Sequence, residues 1–374
     1  MTHDRAARRL IVVHPRFTRV WPLATDALAH QWNDDAGVHV IRLDAGDEHP
    51  LGQLIDTPNT FEQAALLGVT VTPACLDALP ALRELAIVKA YGGAAEHGQG
   101  VTEALDARGI TLHEHEGEAF WGQSVAEFAL GLTLAALRRI PQTYAQMIHS
   151  LDAWDYEPGS PNDVAGQRGH QHGDDPRFAS GTVATKRVRV VGMGNIAGRY
   201  AQWCGMLGAD VAAWDPFAPE ASFDLAGARR VRTIDELVDD ADIFAPMLPL
   251  TEATRGLVTA EHINALPRGA LVVCVTRMGI LDGQALLDRV RADELALAAD
   301  VFDVEPLPLD SDLLGRHNVV HTPHNAGRTR HANEQWARLL ARAFTALPSP
   351  TPRLAASRQH QTTPATTTPT GGDA

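Results

Sequence analysis

Three cysteines, no apolar run of membrane-spanning length and too few basic residues to balance the acidic ones set the first limits on this 374-residue chain. Cys75, Cys204 and Cys274 stand far apart in apolar surroundings. Such spacing argues against a disulfide framework or a cysteine-rich metal site, and fits reduced core residues of a cytoplasmic protein. The first apolar run, Leu10 to Val13, is too short for the core of a secretory signal. No later run reaches the roughly 20 residues that a membrane helix needs. With 32 basic against 46 acidic residues the formal net charge is -14. Nucleic acid and anionic membrane are therefore poor partners, since both call for an excess of Lys and Arg. A small anionic ligand is not excluded, because it feels the field of its own pocket. No internal repeat runs through the chain. What is present, 45% hydrophobic and 21% charged residues, is ordinary for a globular protein long enough for two domains.

Short apolar strands alternate with amphipathic stretches through the first third. Strands are predicted at Leu10–Val13, Val38–Leu43, Leu67–Val71, Ala86–Ala90 and Ile110–His113, and helices near Pro22–Trp32, Pro73–Leu79 and Thr102–Ala107. This alternation predicts a small α/β unit with a parallel sheet. One long helix is expected from Ser124 to His149, with Ser124 as N-cap and Glu127 three positions on completing a capping box. Residues 151–185 are rich in Gly, Pro, Asp and His without an apolar period, which is the composition of an exposed insertion. A second set of strands follows at Val188–Val191, Val211–Ala213, Ile243–Pro246, Leu271–Val275, Ala296–Val301 and Val319–His321. Helices such as Asn195–Leu207, Ile234–Val238, Ala260–Ala265 and Gly283–Arg291 fill the gaps, and a last helix is expected from Arg330 to about Ala346. The 348–374 tail is mostly Pro, Thr, Ser and Gly and is expected to be disordered.

The most specific signal is Val190-Val191-Gly192-Met193-Gly194-Asn195-Ile196-Ala197. A β-branched run enters a Gly-x-Gly turn and a helical pattern follows. About 20 residues on, a second apolar strand ends in Asp215, which is the layout of a dinucleotide site. Gly192 permits the tight turn. Gly194 lets the backbone approach a pyrophosphate at a helix N-terminus. Asp215 would accept hydrogen bonds from the adenosine ribose. Pro216, Phe217 and Ala218 follow it, so no adjacent cation offsets its charge. That favours NAD over NADP.

Three strand ends carry groups suited to chemistry. Arg277 closes an apolar strand and has the planar fork that holds a carboxylate bidentately. Asp300 and Glu305 follow another strand, and His324 follows a third. His is the natural proton carrier near neutral pH, and an acid beside it sets its tautomer. Hydride transfer to or from a 2-hydroxy acid needs such a base, such an acid and such a cation.

With Arg277, Glu305 and His324 in that order behind the glycine turn, the chain resembles the D-isomer-specific 2-hydroxyacid dehydrogenases. The resemblance runs from about residue 10 to about 347. It also rests on Ser124-Val125-Ala126-Glu127, Leu248-Pro249-Leu250-Thr251, Thr276-Arg277-Met278-Gly279 and Thr322-Pro323-His324-Asn325-Ala326-Gly327. It implies a Rossmann-type doubly wound parallel sheet plus a smaller flavodoxin-like α/β domain. Residues 1–119 and 326–347 would form the substrate domain and 120–325 the NAD-binding domain. His324 would be the acid/base, Glu305 its partner and Arg277 the carboxylate clamp. Gly192, Gly194, Asn195, Ile196, Asp215, Pro249, Thr276 and Asp300 would bind NAD, with Asp300 on the nicotinamide carboxamide. Backbone amides around Tyr91, Gly92 and Gly93 would bind the carboxylate of a small anionic 2-hydroxy or 2-keto acid. A cytoplasmic homodimer is the usual assembly. Departures from the pattern are Ala94 and Glu96 in the substrate loop, Met278, expected to narrow the pocket, and Asn325 after the histidine.

Other clusters carry less. His113-Glu114-His115-Glu116 and His170, His172, Asp174 and Asp175 have the composition of metal ligands, but no metal is expected. Arg229, Arg230 and Arg232 read as solvated charge. The competing readings are an NAD(H)-binding sensor or corepressor-like scaffold with little turnover, and a dehydrogenase of formate or of a phosphorus acid.

Overall fold

A computed structural model describes residues 7–34, 36–46, 51–55, 60–89, 100–115, 119–150, 153 and 175–347. Two parallel sheets organise it. The first holds β1 (Arg9–Val13), β2 (Val38–Arg42), β3 (Gln63–Leu67), β4 (Glu84–Val88) and β5 (Thr111–His113) in the order β2-β1-β3-β4-β5. The second holds β6 (Arg187–Val191), β7 (Asp210–Trp214), β8 (Arg229–Arg230), β9 (Ile243–Pro246), β10 (Leu271–Cys274), β11 (Ala296–Ala299) and β12 (Val319–His321) in the order β12-β11-β10-β9-β6-β7-β8. The first order is flavodoxin-like and the second is the doubly wound order of dinucleotide-binding sheets, as expected from the sequence.

Strands covered on both faces read as continuous apolar runs, and β1 and β3 are buried at every position. Each sheet carries a hydrophobic core on either face. The last helix, Arg330–Ala343, returns to the first sheet. Its Trp336 and Leu340 join Phe17, Trp21 and Leu28 in one core. Cys75, Cys204 and Cys274 are buried and unbridged, and burial pushes the Cys204 and Cys274 thiols up to about 12. Among the described residues, no helix is long and apolar enough to cross a membrane.

The differences from expectation are local. β3 ends, rather than begins, at Leu67, because Gly68 (φ 69) turns the chain before the β-branched run Val69–Val71. A short helix, Pro15–Val20, precedes Ala24–Gln31, where one helix was expected. The long helix is broken into Gly122–Leu137 and Ile140–His149. Arg139 adopts φ 51 at the break, and Pro141 lacks the N–H that would continue the ladder. Ser124 is not an N-cap. The helix begins two residues earlier, where Gly122 lies against the Asn195 side chain, and the buried Ser124 hydroxyl bonds Thr329 Oγ1 at 2.6 Å. Arg229 and Arg230 are exposed, as expected of solvated charge, and also form a short edge strand. The last helix stops at Ala343 because Phe344 turns extended and packs on Trp32 at 4.9 Å. Of the 151–185 insertion, residues 153 and 175–185 are described. The tail lies outside the described residues.

One charge is held inside the second sheet. Arg189, in the middle of β6, is 1% exposed and donates to Asp240 at 2.6 Å and to Asp210 at 2.9 Å. The bond from Arg189 holds the Asp240 carboxyl below its usual range, so the stability it contributes is present at neutral pH. That contribution is lost as pH falls through the depressed folded value. Asp240→Asn, which leaves a buried guanidinium short of one partner, is expected to lower the unfolding free energy by about 3 kcal/mol. Urea unfolding across the acid range measures it. A midpoint and acid limb identical to wild type would show that Asp210 alone suffices.

Candidate active site

The second sheet reverses direction between β6 and β9, and ligands of open α/β sheets bind outside the carboxyl ends of the strands at such a point. Gly192 turns the chain there with φ 104, and a Cβ on it would lie 2.9 Å from the Met247 carbonyl oxygen. Only glycine fits. Gly194 has an ordinary φ of -80, and a Cβ would meet nothing within 4 Å. Its backbone therefore borders open space at the N-terminus of the helix Asn195–Met206, a cradle that suits a pyrophosphate. Asn195 and Ile196 open that helix, Asn195 exposed and Ile196 half-buried. Asp215 accepts from the backbone amides of Met193 (2.8 Å), Phe217 (2.9 Å) and Ala218 (3.0 Å). These bonds tie the acid to the glycine turn and aim it beside the same cradle.

Sequence distance hid one cation near Asp215. Arg230, on β8, donates from Nη2 to the Asp215 carbonyl at 3.1 Å, and its Nη1 is paired with Glu220 at 3.0 Å. Its charge is thus already engaged.

Farther along the carboxyl edge lie the remaining groups. Pro249 is exposed in the loop after β9, and its carbonyl accepts from Thr254 Oγ1 at 2.6 Å. Thr276 is buried, with Oγ1 3.5 Å from the Pro246 carbonyl. Arg277 follows it, exposed, with Nη1 donating to the Thr276 carbonyl at 2.7 Å. His324 Nδ1 lies 2.7 Å from Glu305 Oε2, and Glu305 Oε1 accepts from the Phe302 amide at 2.9 Å. Burial raises the Glu305 pKa, but the bonds from His324 and Phe302 and the charges of His324 and Arg277 outweigh it and hold the carboxyl below its ordinary value. A carboxylate on Nδ1 places the ring proton there and leaves Nε2 to exchange protons. Arg277, Glu305 and His324 are thus brought together.

Asp300, read as the nicotinamide contact, ties a loop within the chain. It is 0% exposed, and both oxygens face the loop that carries His324. Oδ1 accepts from Thr322 Oγ1 at 2.6 Å and the Asn325 amide at 3.1 Å, and Oδ2 accepts from the Ala326 amide at 2.9 Å. The tie holds His324 itself at φ 53, a left-handed conformation uncommon outside glycine. No pattern in the sequence marked this role. Met278 does not narrow a pocket: it is 3% exposed and packs into the core on one face of the sheet. Tyr91, Gly92, Gly93, Ala94 and Glu96 lie outside the described residues, as do Glu116, His170, His172 and Asp174. His113 Nε2 meets Glu84 at 2.7 Å, and His115 Nε2 lies 3.0 Å from the Trp336 carbonyl. Among the described residues no group of three potential ligands is placed to hold a metal ion.

The glycine turn, the oriented acid and the strand order define a dinucleotide-binding α/β protein of the Rossmann type. The profile of the D-isomer specific 2-hydroxyacid dehydrogenase NAD binding domain matches residues 130–326, and the chain belongs to that family. Among similar sequences, a D-3-phosphoglycerate dehydrogenase of Methanocaldococcus jannaschii is 31% identical over 219 residues, 58% of this chain and 38% of that protein. An (S)-sulfolactate dehydrogenase of Chromohalobacter salexigens is 37% identical over 147 residues, 39% of this chain and 48% of that protein. The matched stretch thus spans less than half the length of these relatives. Among solved structures, D-2-hydroxyisocaproate dehydrogenase superposes with a TM-score of 0.64 at 20% identity, covering 89% of this chain and 94% of that one. A D-lactate dehydrogenase from Treponema pallidum gives 0.62 at 19%, covering 88% and 93%. At these identities the likeness is one of fold.

Gly192→Ala should strain the turn by about 1–2 kcal/mol, which corresponds to roughly tenfold weaker NADH binding. Fluorescence titration of NADH tests this, and an affinity within twofold of wild type would separate the turn from the cofactor.

Proposed function

We propose that the protein is an NAD-dependent oxidoreductase that interconverts a D-2-hydroxy acid and its 2-keto acid. The observation that carries this reading is the 2.7 Å pair of His324 and Glu305, with Arg277 close enough to act on the same carboxylate. Gly192, Gly194, Asn195, Ile196 and Asp215 would hold NAD, with Pro249 and Thr276 on the nicotinamide side. The cofactor would supply or remove the hydride.

In the reductive direction His324 Nε2 gives its proton to the substrate oxygen, and in the oxidative direction it takes the hydroxyl proton. Glu305 keeps the ring in the required tautomer and stabilises its protonated form. Arg277 holds the substrate carboxylate and polarises the neighbouring carbonyl. Asp300 positions the His324 loop. Amides of Tyr91, Gly92 and Gly93 would complete the carboxylate site. In this reading residues 1–119 and 326–347 form the substrate half and 120–325 the cofactor half. NAD is favoured over NADP because Asp215 repels a 2′-phosphate and Arg230 is already paired. The pair of His324 and Glu305, with Arg277, suits a carboxylate-bearing keto acid better than formate or a phosphorus acid, and its fitness for proton exchange favours an enzyme over a scaffold.

The partners proposed are the small anionic substrate and a second copy of the chain, in the cytoplasm. Support for a homodimer comes from the helix Ile140–His149, which has no Asp, Glu, Lys or Arg in a chain of net charge -14. It exposes Ile140, Tyr144, Met147 and Ile148 on successive turns of one face.

Absorbance of NADH against a panel of 2-keto acids tests the activity, and no turnover with tight NADH binding would overturn it. His324→Ala is expected to lower turnover by on the order of 10²–10⁴-fold with NADH affinity retained. Equal loss of NADH binding would make His324 structural. Asp215→Ala should weaken NAD binding and raise the relative use of NADP, as the ratio of kcat/KM for the two cofactors will report. An unmoved ratio would mean that the adenosine end is read elsewhere.

A further inference from the structure

The first sheet has a reversal of its own. Its order, β2-β1-β3-β4-β5, sends the connections apart from β1 and β3, so a crevice opens outside the carboxyl ends of those two strands. β1 runs out into His14-Pro15-Arg16 and β3 into Gly68. Gly68 has φ 69, and a Cβ on it would lie 3.0 Å from Arg16 Cγ and 2.9 Å from Phe17 Cβ. The stem of Arg16 therefore crosses the mouth of β3 in room that glycine leaves. Arg16 Nε donates to His14 Nδ1 at 3.0 Å, and the Arg16 amide donates to the same nitrogen at 3.1 Å. The guanidinium is thus aimed, while Nη1 and Nη2 meet no acceptor among the described residues. In a chain with 46 acidic residues, no described carboxylate pairs with this exposed, oriented cation.

The helix that leaves this crevice runs toward the loop that carries His324. The helix that carries Arg16 is six residues long, about 9 Å, and ends at Trp21. The Trp21 ring stacks on Trp121 at 5.9 Å. Trp121 Cβ in turn lies 3.6 Å from where a Cβ on Gly327 would be, and Gly327 stands three residues after His324.

We propose that this crevice is an oxyanion subsite in which Arg16, aimed by His14, binds the terminal carboxylate, sulfonate or phosphate of a substrate whose reacting end lies at Arg277 and His324. The proposal rests on the dehydrogenase reading and narrows it to 2-hydroxy acids with a second acidic group. A guanidinium fixed at Nε keeps a fork of N–H groups for such an anion and loses little side-chain freedom on binding it. A free inorganic anion has the same chemistry, so the test must separate the two.

The experiment compares kcat/KM for 3-sulfopyruvate with that for 2-oxobutyrate, which has an uncharged end of similar length, in wild type, Arg16→Gln and Arg16→Lys. Phosphate binding to wild type and Arg16→Gln is measured beside it by calorimetry. The ratio is expected to favour sulfopyruvate in wild type and to fall by about 10–100-fold in Arg16→Gln. Arg16→Lys should recover part of it, and phosphate should compete with sulfopyruvate. A ratio that does not move, with phosphate binding lost in Arg16→Gln, would overturn the assignment to the substrate and leave a free-anion site. An unmoved ratio without Arg16-dependent phosphate binding would overturn the subsite altogether. Turnover of neither keto acid would overturn the dehydrogenase reading, and the phosphate titration would still decide whether the crevice binds an anion.

Discussion

The fully buried carboxylate of Asp300 gathers Thr322, Asn325 and Ala326 around itself, and the loop that carries His324 depends on that gathering. A buried acid is costly unless hydrogen bonds satisfy it, and here a hydroxyl and two amides do so. The same bonds close the loop after β12 over the end of β11, and the closed loop holds His324 in a backbone conformation that it would rarely adopt alone. From there its Nδ1 reaches Glu305. The pairing proposed to carry the chemistry is thus the exposed end of a chain of bonds whose fixed point lies in the core.

Six of the seven strands of the second sheet were legible because each is an apolar run ended by a turn, whereas β8, Arg229–Arg230, has no apolar run to mark it. The candidate catalytic groups stand out for a related reason: Arg277, Glu305 and His324 follow the ends of strands, where a polar residue after an apolar run is conspicuous. Gly192 was legible as a turn, and the structure adds the cause, a carbonyl that leaves no room for a Cβ. What the sequence hid were contacts made at a distance. Asp300 looks like a strand-end acid, and nothing nearby shows that its partners lie 22 to 26 residues on. Arg230 reaches Asp215 across neighbouring strands. Ser124 looks like a helix cap until Gly122, which must be small beside Asn195, sets the start earlier. The break at Arg139 had its signal in Pro141, outweighed by the apolar period on either side.

Both sheets place their reversals at carboxyl edges, and both edges are furnished with groups that suit anions. One has the bare backbone at Gly194 and the Arg277 guanidinium. The other has Arg16, fixed by its neighbour His14. Acidic residues dominate the chain as a whole, so these few cations act locally, in crevices that the strand orders create rather than through the overall field.

The chain passes between its two sheets at two places, before the helix Gly122–Leu137 and after His324. There Trp121 sits against Gly327, and Ser124 is one hydrogen bond from Thr329. Two covalent crossings side by side behave as two pins on one line. Rotation about that line strains neither, whereas twisting or sliding would strain both. The softest relative motion of the halves is therefore a swing about a single axis, one that alters the gap between the walls while keeping each group opposite its counterpart.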